Sequence, residues 1–334
     1  MKLQERIIAL SNLGDVLKNK DEFFESIDFD KIEKSNPWFI PEYVKFSFCN
    51  WSKLLDYDMI CKWIEPYSLH KIRQKKRVLI ILAGNIPLVG FHDFLSVLLS
   101  GHDLVVKMAK KDSHLLKLLV EKINGIDSRF KQKIDFVDDF ISEDIDAVIA
   151  TGSENSERYF EYFFSNKKRI IRGNKRSIAI LSGDETDAQL ECLADDIFMY
   201  FGLGCRNVSK IFVPEGYDFT KLFNSFDMYK KSINHKKYRN NYIYNKAIAA
   251  MNNYMLIDNG FLLMKEEKSI YSPVAMLHYE YFKDYNKVLD SVNTNNERIQ
   301  CLVSANHTIF GRSQKPNLLD YADGIDTISF LKSI

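Results

Sequence analysis

The stretch Val78-Leu79-Ile80-Ile81-Leu82 is a run of consecutive apolar residues, and a helical pattern over 85–100 follows it. A continuous apolar run, as opposed to an alternating one, is typical of a strand that is buried on both faces. The order then repeats, with a predicted strand over 104–107 and a helix over 113–123. This part of the chain therefore predicts βαβ units.

The alternation of strands and helices continues along the chain. We predict further strands over 134–137, 147–150, 169–171, 178–181 and 211–213, with helices over 154–164 and 190–200. Such a succession is typical of an α/β fold built on a doubly wound parallel sheet. Residues 1–70 are rich in aromatic side chains at helical spacing, and we predict that they form helices packed on this body.

Length and composition limit the classes of protein to be considered. A chain of 334 residues predicts two domains or one large α/β unit. With 46 Lys and Arg against 45 Asp and Glu, the net charge of +1 indicates neither a nucleic-acid partner nor a membrane surface. The five cysteines are scattered without metal-binding spacing, so we expect a reduced cytoplasmic protein without metal. Neither a signal peptide nor a membrane-spanning stretch is predicted.

Cys205 is the first candidate for chemistry. It lies in Phe201-Gly202-Leu203-Gly204-Cys205-Arg206-Asn207, between a helical pattern and an apolar strand. A thiol in a turn of small residues can attack a substrate carbonyl, because the backbone can approach closely there. The alternative is a buried cysteine that acts as a small hydrophobic residue. A helix terminus or the neighbouring Arg206 would raise the thiolate fraction, and Arg206 could equally bind a phosphate or be structural.

Gly84-Asn85-Ile86-Pro87 follows the first strand, at the edge of an open α/β sheet where ligands bind. The amide of Asn85 could stabilise a developing oxyanion. The alternative is that Asn85 caps the next helix and Pro87 occupies its first turn.

Two further segments follow strands at the same predicted edge. Thr151-Gly152-Ser153 precedes a helix, whose amino end could hold a phosphate, although Gly152 could simply turn the chain and Ser153 cap the helix. Lys107 and Lys110 follow another strand and could bind ribose hydroxyls or a 2′-phosphate, unless they are only surface charges.

Taken together, the order and spacing of these segments resemble the aldehyde dehydrogenase superfamily, and more narrowly its LuxC-type acyl-CoA reductase branch. The matching segments lie between about residues 75 and 310 and are Gly84-Asn85-Ile86-Pro87, Val105-Val106-Lys107, Thr151-Gly152-Ser153, Gly173-Asn174-Lys175, Gly202-Leu203-Gly204-Cys205 and Ile270-Tyr271-Ser272-Pro273-Val274. The branch reduces activated fatty acids to aldehydes with NADPH.

The resemblance implies a fold and a site. It implies a helical N-terminal region plus a Rossmann-like NADP-binding domain over 1–200, a second α/β catalytic domain over 201–310 and a tail over 311–334. Cys205 would be the nucleophile, and Asn85 with the Cys205 backbone N–H would form the oxyanion hole. Lys107 would contact the adenosine ribose, and Thr151-Gly152-Ser153 would lie beside the pyrophosphate.

Three departures from the family pattern refine this expectation. Ile171 stands where hydrolytic relatives carry a glutamate base, which favours reduction to aldehyde over oxidation to acid. Lys110 replaces the acidic residue of NAD-preferring relatives and favours NADPH, since an ammonium attracts a 2′-phosphate. Ser269 replaces a glutamate that orients the nicotinamide ribose, and a hydroxyl bonds more weakly than a carboxylate.

Several points stay open at this level. The acyl donor could be coenzyme A, an acyl carrier protein or an acylated partner enzyme, and oligomerisation is not predictable. A cysteine acyltransferase or thioesterase is an alternative function. A degenerate aldehyde dehydrogenase-like scaffold subunit for an acyl-activating partner is another.

Overall fold

A computed structural model describes residues 1–72, 74–140, 144–294 and 296–334. The chain forms two compact units, one of Met1–Asn174 with Asn317–Ile334 and the other of Lys175–Pro316. The boundary predicted at residue 200 therefore lies inside the second unit, because the strand Arg176–Ile180 pairs within that unit's sheet. The final residues, expected as a separate tail, are part of the first unit.

The first unit begins with helices and continues as an alternation of strands and helices. In chain order these elements are α1 (Leu3–Lys18), α2 (Lys20–Glu25), α3 (Phe29–Ser35), α4 (Pro41–Leu54), α5 (Tyr57–Ile64), β1 (Arg77–Ile81), α6 (Phe91–Ser100), β2 (Asp103–Lys107), α7 (Leu115–Ile126), β3 (Ile134–Val137), β4 (Ala147–Thr151), α8 (Glu154–Phe163) and β5 (Lys168–Arg172). The strands pair in the order β3-β2-β1-β4-β5, and every pairing is parallel. The predicted α/β class with a doubly wound parallel sheet is confirmed.

The apolar run of β1 is explained by cores on both faces of the sheet. Val78 and Ile80 belong to one cluster of buried side chains, and Leu79 and Ile81 belong to another. Successive side chains of a strand point to opposite faces, so a strand covered on both sides needs apolar residues at every position.

The N-terminal helices contribute to the first of these clusters. The aromatic side chains Phe23, Phe48 and Trp63 of these helices, and Phe39 between α3 and α4, are buried in it together with Val78 and Ile80 of β1. The interpretation of residues 1–70 as helices packed on the main body is therefore correct.

The second unit is also built on a sheet. Its elements in chain order are β6 (Arg176–Ile180), α9 (Asp187–Phe198), β7 (Val208–Pro214), α10 (Phe219–Phe226), α11 (Lys236–Met251), β8 (Ile257–Asp258), β9 (Leu263–Glu266), β10 (Met276–Phe282), α12 (Tyr285–Thr294) and β11 (Ile299–Val303). The strand order is β11-β6-β7-β10-β9-β8, in which the β8–β9 pair is antiparallel and the other pairs are parallel.

A last helix, α13 (Thr327–Lys332), returns to the first unit. The chain also has short 3₁₀ segments at Glu65–Tyr67, Leu69–Lys71, Ser128–Gln132, Met199–Gly202, Asp227–Asn234, Asn296–Arg298 and Ala322–Gly324.

Arg172, at the end of β5, is buried in an ion pair with Asp93 (N–O distance 2.6 Å) and also donates to Thr327 Oγ1 at 2.9 Å. Burial raises the pKa of Asp93, but the charge and hydrogen bonds of Arg172 outweigh it and hold that pKa below its ordinary value. The ion pair joins the end of β5 to α6, and the hydrogen bond to Thr327 ties the C-terminal helix to the same strand end.

Candidate functional site

The carboxyl ends of the strands of the first unit meet at one edge. In the parallel register, Ile81 at the end of β1 lies between Lys107 of β2 and Ala150 of β4. From β1 the chain adds β2 and then β3 on one side of the sheet, and β4 and then β5 are added on the other side. The strand order therefore reverses between β1 and β4, and open α/β sheets bind ligands at such a switch point. The sheet thus brings the loops after β1, β2 and β4 to the same edge, as the sequence predicted.

The loop after β1 carries Asn85 and is held by the N-terminal helices. Asn36 is fully buried, and its Nδ2 donates to the carbonyl oxygen of Gly84 at 3.0 Å. Ser47 Oγ donates to the carbonyl oxygen of Pro87 at 3.1 Å. These two side chains position the loop, and sequence reasoning missed both of them.

The prediction of a helix from residue 85 is wrong. α6 begins at Phe91, with Gly90 as its N-cap, and Leu88 has a φ of 58°. Because the left-handed backbone of Leu88 cannot be part of a right-handed α-helix, neither Asn85 nor Pro87 belongs to α6. The alternative in which Asn85 is a helix cap is therefore excluded, and half-buried Asn85 lies in an irregular loop at the ligand edge.

Thr151 ends β4, and Ser153 is the N-cap of α8, where its side chain accepts from the backbone N–H of Ser156. Gly152 between them has no room for a side chain, since a Cβ there would lie 2.6 Å from the Cβ of Ser156. The capping alternative for Ser153 is correct. It also leaves the amino end of α8 at the ligand edge, where an anion is stabilised.

Lys107 is the last residue of β2, and Lys110 is exposed in the loop that follows. This loop packs against Gly84, because a Cβ at Gly84 would lie 2.8 Å from the Cβ of Ala109 and 3.3 Å from that of Asp112. Asp112 has one carboxylate oxygen, Oδ1, that is buried without a hydrogen-bond partner in the described part of the chain. Burial raises the pKa of Asp112 to about 7.

Cys205 lies in the second unit, in a turn that leads into β7. α9 ends at Phe198, so the predicted helix over 190–200 stops slightly earlier than expected. Tyr200, Phe201 and Gly202 then follow with φ values of 54°, 56° and 74°. Left-handed backbone at two aromatic residues costs about 1–2 kcal/mol each, and strain of this kind is found at functional sites.

Two polar side chains fix the turn of Cys205. Asn207 is buried and its Nδ2 lies within hydrogen-bond distance of three carbonyl oxygens at the end of α9, the shortest being that of Met199 at 2.8 Å. Ser177 of β6 donates to the carbonyl oxygen of Cys205 at 3.0 Å and accepts from the backbone N–H of Cys301 at 3.1 Å. The half-buried Cys205 is therefore held by its backbone.

The helix terminus before Cys205 does not give the expected help. The helix that precedes Cys205 presents its carboxyl end at Phe198, and the partial negative charge of that end disfavours a thiolate. Arg206, the other residue considered, donates from Nη1 to the sulfur of Cys301 at 3.3 Å.

Ser269 is exposed in the segment between β9 and β10. Its Oγ accepts from the backbone N–H of Tyr271 at 3.1 Å, and Ser209 of β7 donates to the carbonyl oxygen of Ile270 at 2.6 Å. The segment is thus attached to β7, the strand that begins just after Cys205. Glu267 lies nearby, and the Lys265 ammonium at 2.9 Å holds the pKa of its carboxyl well below the usual range.

Within the described residues, no group of three or more His, Cys, Asp or Glu side chains could hold a metal ion. The same part of the chain contains no helix with the length and apolar character needed to cross a membrane.

The fold is that of the aldehyde dehydrogenases. The chain is similar to an aldehyde dehydrogenase of Bacillus cereus solved with NAD⁺, with a TM-score of 0.62 and 14% identity over 91% of this chain and 72% of that one. Aldehyde dehydrogenase 21 of Physcomitrella patens, solved with succinate, gives a TM-score of 0.65 and 13% identity over 92% and 74%. HpcC of Thermus thermophilus gives a TM-score of 0.65 and 14% identity over 91% of this chain and 70% of that one.

Residues 58–223 match the family model of the acyl-CoA reductases (LuxC). The resemblance to the LuxC-type acyl-CoA reductases that was drawn from the sequence is confirmed, and together with the fold it supports an oxidoreductase. The matched region contains Asn85, Lys107, Thr151 and Cys205 and ends before Ser269. A comparison with curated protein sequences finds no match.

Proposed function

We propose that this protein reduces an acyl-CoA thioester, of a fatty acyl group, to the aldehyde with NADPH, through an acyl intermediate on Cys205. The observation that carries the proposal is the turn of Cys205, which lies inside the LuxC-matched region and is held by Asn207 and Ser177. A backbone fixed on both sides lets the sulfur meet a carbonyl carbon in one geometry, which lowers the entropic part of the barrier.

The residues of the first unit fit a dinucleotide. Gly152 packs tightly against Ser156 of α8, and without a side chain at this position a pyrophosphate could approach the backbone at the start of that helix. Lys107 ends β2 at the same edge, and Lys110 lies in the loop after it. Lys110 would pair with a 2′-phosphate and is the basis for NADPH as the cofactor. When bound, NADPH supplies the hydride.

The reaction proceeds in two halves. The Cys205 thiolate attacks the thioester carbonyl, the bond from that carbon to the sulfur of coenzyme A breaks, and the released thiolate takes up a proton. Asn85 would donate its amide to the oxyanion. Hydride then adds to the carbonyl carbon of the acyl-enzyme, the bond to Cys205 breaks, and aldehyde leaves while the thiolate is restored.

Ile171 supports reduction as the outcome. It is half-buried in β5, in the position where hydrolytic relatives carry a glutamate base, and a side chain without a proton acceptor cannot activate water. The acyl-enzyme should therefore persist until hydride arrives.

Trapping the intermediate tests this proposal. The protein is mixed with an acyl-CoA without NADPH, and the peptide containing Cys205 is weighed by mass spectrometry in wild type and in Cys205→Ser. We expect an acyl adduct on wild-type Cys205 that NADPH discharges as aldehyde. Discharge as free acid would indicate a thioesterase, transfer to an added amine or thiol an acyltransferase, and no adduct from any acyl donor a scaffold; each of these contradicts the proposal.

A further inference from the structure

Arg176 is the first residue of β6 and was given no role by the sequence analysis. It directly precedes Ser177, whose hydroxyl donates to the carbonyl oxygen of Cys205 at 3.0 Å. The backbone of Arg176 is thus tied to the turn of the nucleophile through its neighbour.

The guanidinium of Arg176 is incompletely paired. Its Nε is buried and has no hydrogen-bond partner among the described residues. A buried donor without a partner costs about 1–3 kcal/mol, so its retention calls for a negative group that it serves.

Two groups that can become anionic act electrostatically on this cation, and the carbonyl oxygen of one of them, Cys205, is bonded by the neighbouring Ser177. Burial lowers the pKa of Arg176, and the negative charges that Cys205 and Tyr271 carry when ionised act in the opposite direction. An attraction between two charges stabilises both of them. If the Cys205 thiolate stabilises the charged form of Arg176, the Arg176 cation also stabilises the thiolate form of Cys205.

We propose that Arg176 is the positioning residue that holds Cys205 as a thiolate, and this inference rests on the proposed role of Cys205 as nucleophile. The preceding helix presents its negative end to this turn and cannot supply a positive charge, whereas the side chain of Arg176 can. The same cation would serve both halves of the reaction, since a stabilised thiolate is the attacking group in the first half and the leaving group in the second.

The test is the pH profile of alkylation of Cys205 by iodoacetamide, a neutral probe that needs neither substrate nor cofactor. The rate is followed on the Cys205 peptide by mass spectrometry, since Cys49, Cys61 and Cys192 are not buried. In wild type, we expect a thiol pKa at least about one unit below the ordinary value of about 8.5.

Arg176→Gln should raise that pKa by about one unit and raise the plateau rate at high pH by about threefold, because a more basic thiolate is more nucleophilic. At neutral pH the two effects partly cancel and leave a loss of about threefold. Arg176→Lys should give an intermediate pKa. Arg206→Gln and the exposed Arg239→Gln should leave the pKa unchanged.

The inference is overturned if Arg176→Gln keeps the wild-type pKa and alters only the plateau, which is what a purely structural role predicts. It is also overturned if Arg206→Gln moves the pKa, or if wild-type Cys205 titrates at or above about 8.5. The last measurement needs no variant and so stands even if Arg176→Gln does not fold. Failure here leaves acylation of Cys205 to be judged separately by the trapping experiment.

Discussion

The side-chain oxygen of Asn207 accepts a hydrogen bond from the backbone N–H of Gly204 at 2.8 Å. The amide nitrogen of the same side chain donates to carbonyl oxygens at the end of α9, that of Met199 at 2.8 Å. One buried amide therefore joins the end of a helix to the residue that precedes Cys205, and it fixes the turn from both sides.

Asn207→Asp should keep the bond to Gly204 and remove the bonds to the end of α9. A carboxylate keeps an acceptor for Gly204 N–H but places a negative charge against carbonyl oxygens that had a donor. Leaving buried carbonyls without partners costs about 1–3 kcal/mol, which urea unfolding measures. We also expect a slower alkylation of Cys205, because its turn loses one anchor. Asn240→Asp, at an exposed residue of α11, is the control, and an Asn207 variant as stable and reactive as wild type would contradict the account.

The cofactor preference is predicted to depend on Lys110. Lys110→Glu places a carboxylate where a 2′-phosphate would bind, so the affinity for NADPH relative to NADH should fall about tenfold, or about 1.4 kcal/mol. Titration calorimetry with both nucleotides measures this ratio. Lys111→Glu makes the same charge change at the next exposed residue and should alter the ratio less. An equal effect of both variants would show a general charge effect and not a specific contact.

Asp112 should make stability depend on pH. Burial raises its pKa to about 7, so between about pH 4 and 7 the folded protein keeps a proton that the unfolded chain releases. The contribution of Asp112 to the free energy of unfolding is fully present below about pH 4 and is lost as the pH rises through 7.

Asp112→Asn cannot ionise and should lack this dependence. The free energy of unfolding of the variant, relative to wild type, should therefore rise by an amount on the order of a few kcal/mol between about pH 4 and 8. Urea unfolding at both pH values measures the difference, with the exposed Asp184→Asn as a control. A constant difference across this range would show that the carboxyl of Asp112 is not neutral in the folded protein.

The strands of the fold could be predicted because their signal is local. A strand covered on both faces is apolar at every buried position, as β1 is over 78–81 and β4 over 147–150, and that run is visible in the sequence. The start of α6 could not be predicted in this way. The carbonyl oxygens of Gly84 and Pro87 are bonded by Asn36 and Ser47, which are distant in the chain, and tertiary bonds of this kind override local helical preference.

The same distinction holds for the site. The loops that carry Asn85, Lys107 and Thr151 could be placed at one edge, because parallel strands end together. Ser177 and Arg176 could not be assigned, since their relation to Cys205 depends on the pairing of β6 with β7. Asn207 did offer a signal, because an asparagine two residues after Cys205 in a glycine-containing turn is well placed to bond nearby backbone.

The most direct test of the central claim is the oxidation of NADPH with a panel of acyl-CoA chain lengths, with wild type compared to Cys205→Ala. The account predicts turnover in wild type that yields aldehyde and free coenzyme A in equal amounts, and its loss in Cys205→Ala. Undiminished turnover in Cys205→Ala would contradict the covalent mechanism. A folded wild-type protein that oxidises no NADPH with any acyl-CoA would contradict the proposed reaction itself.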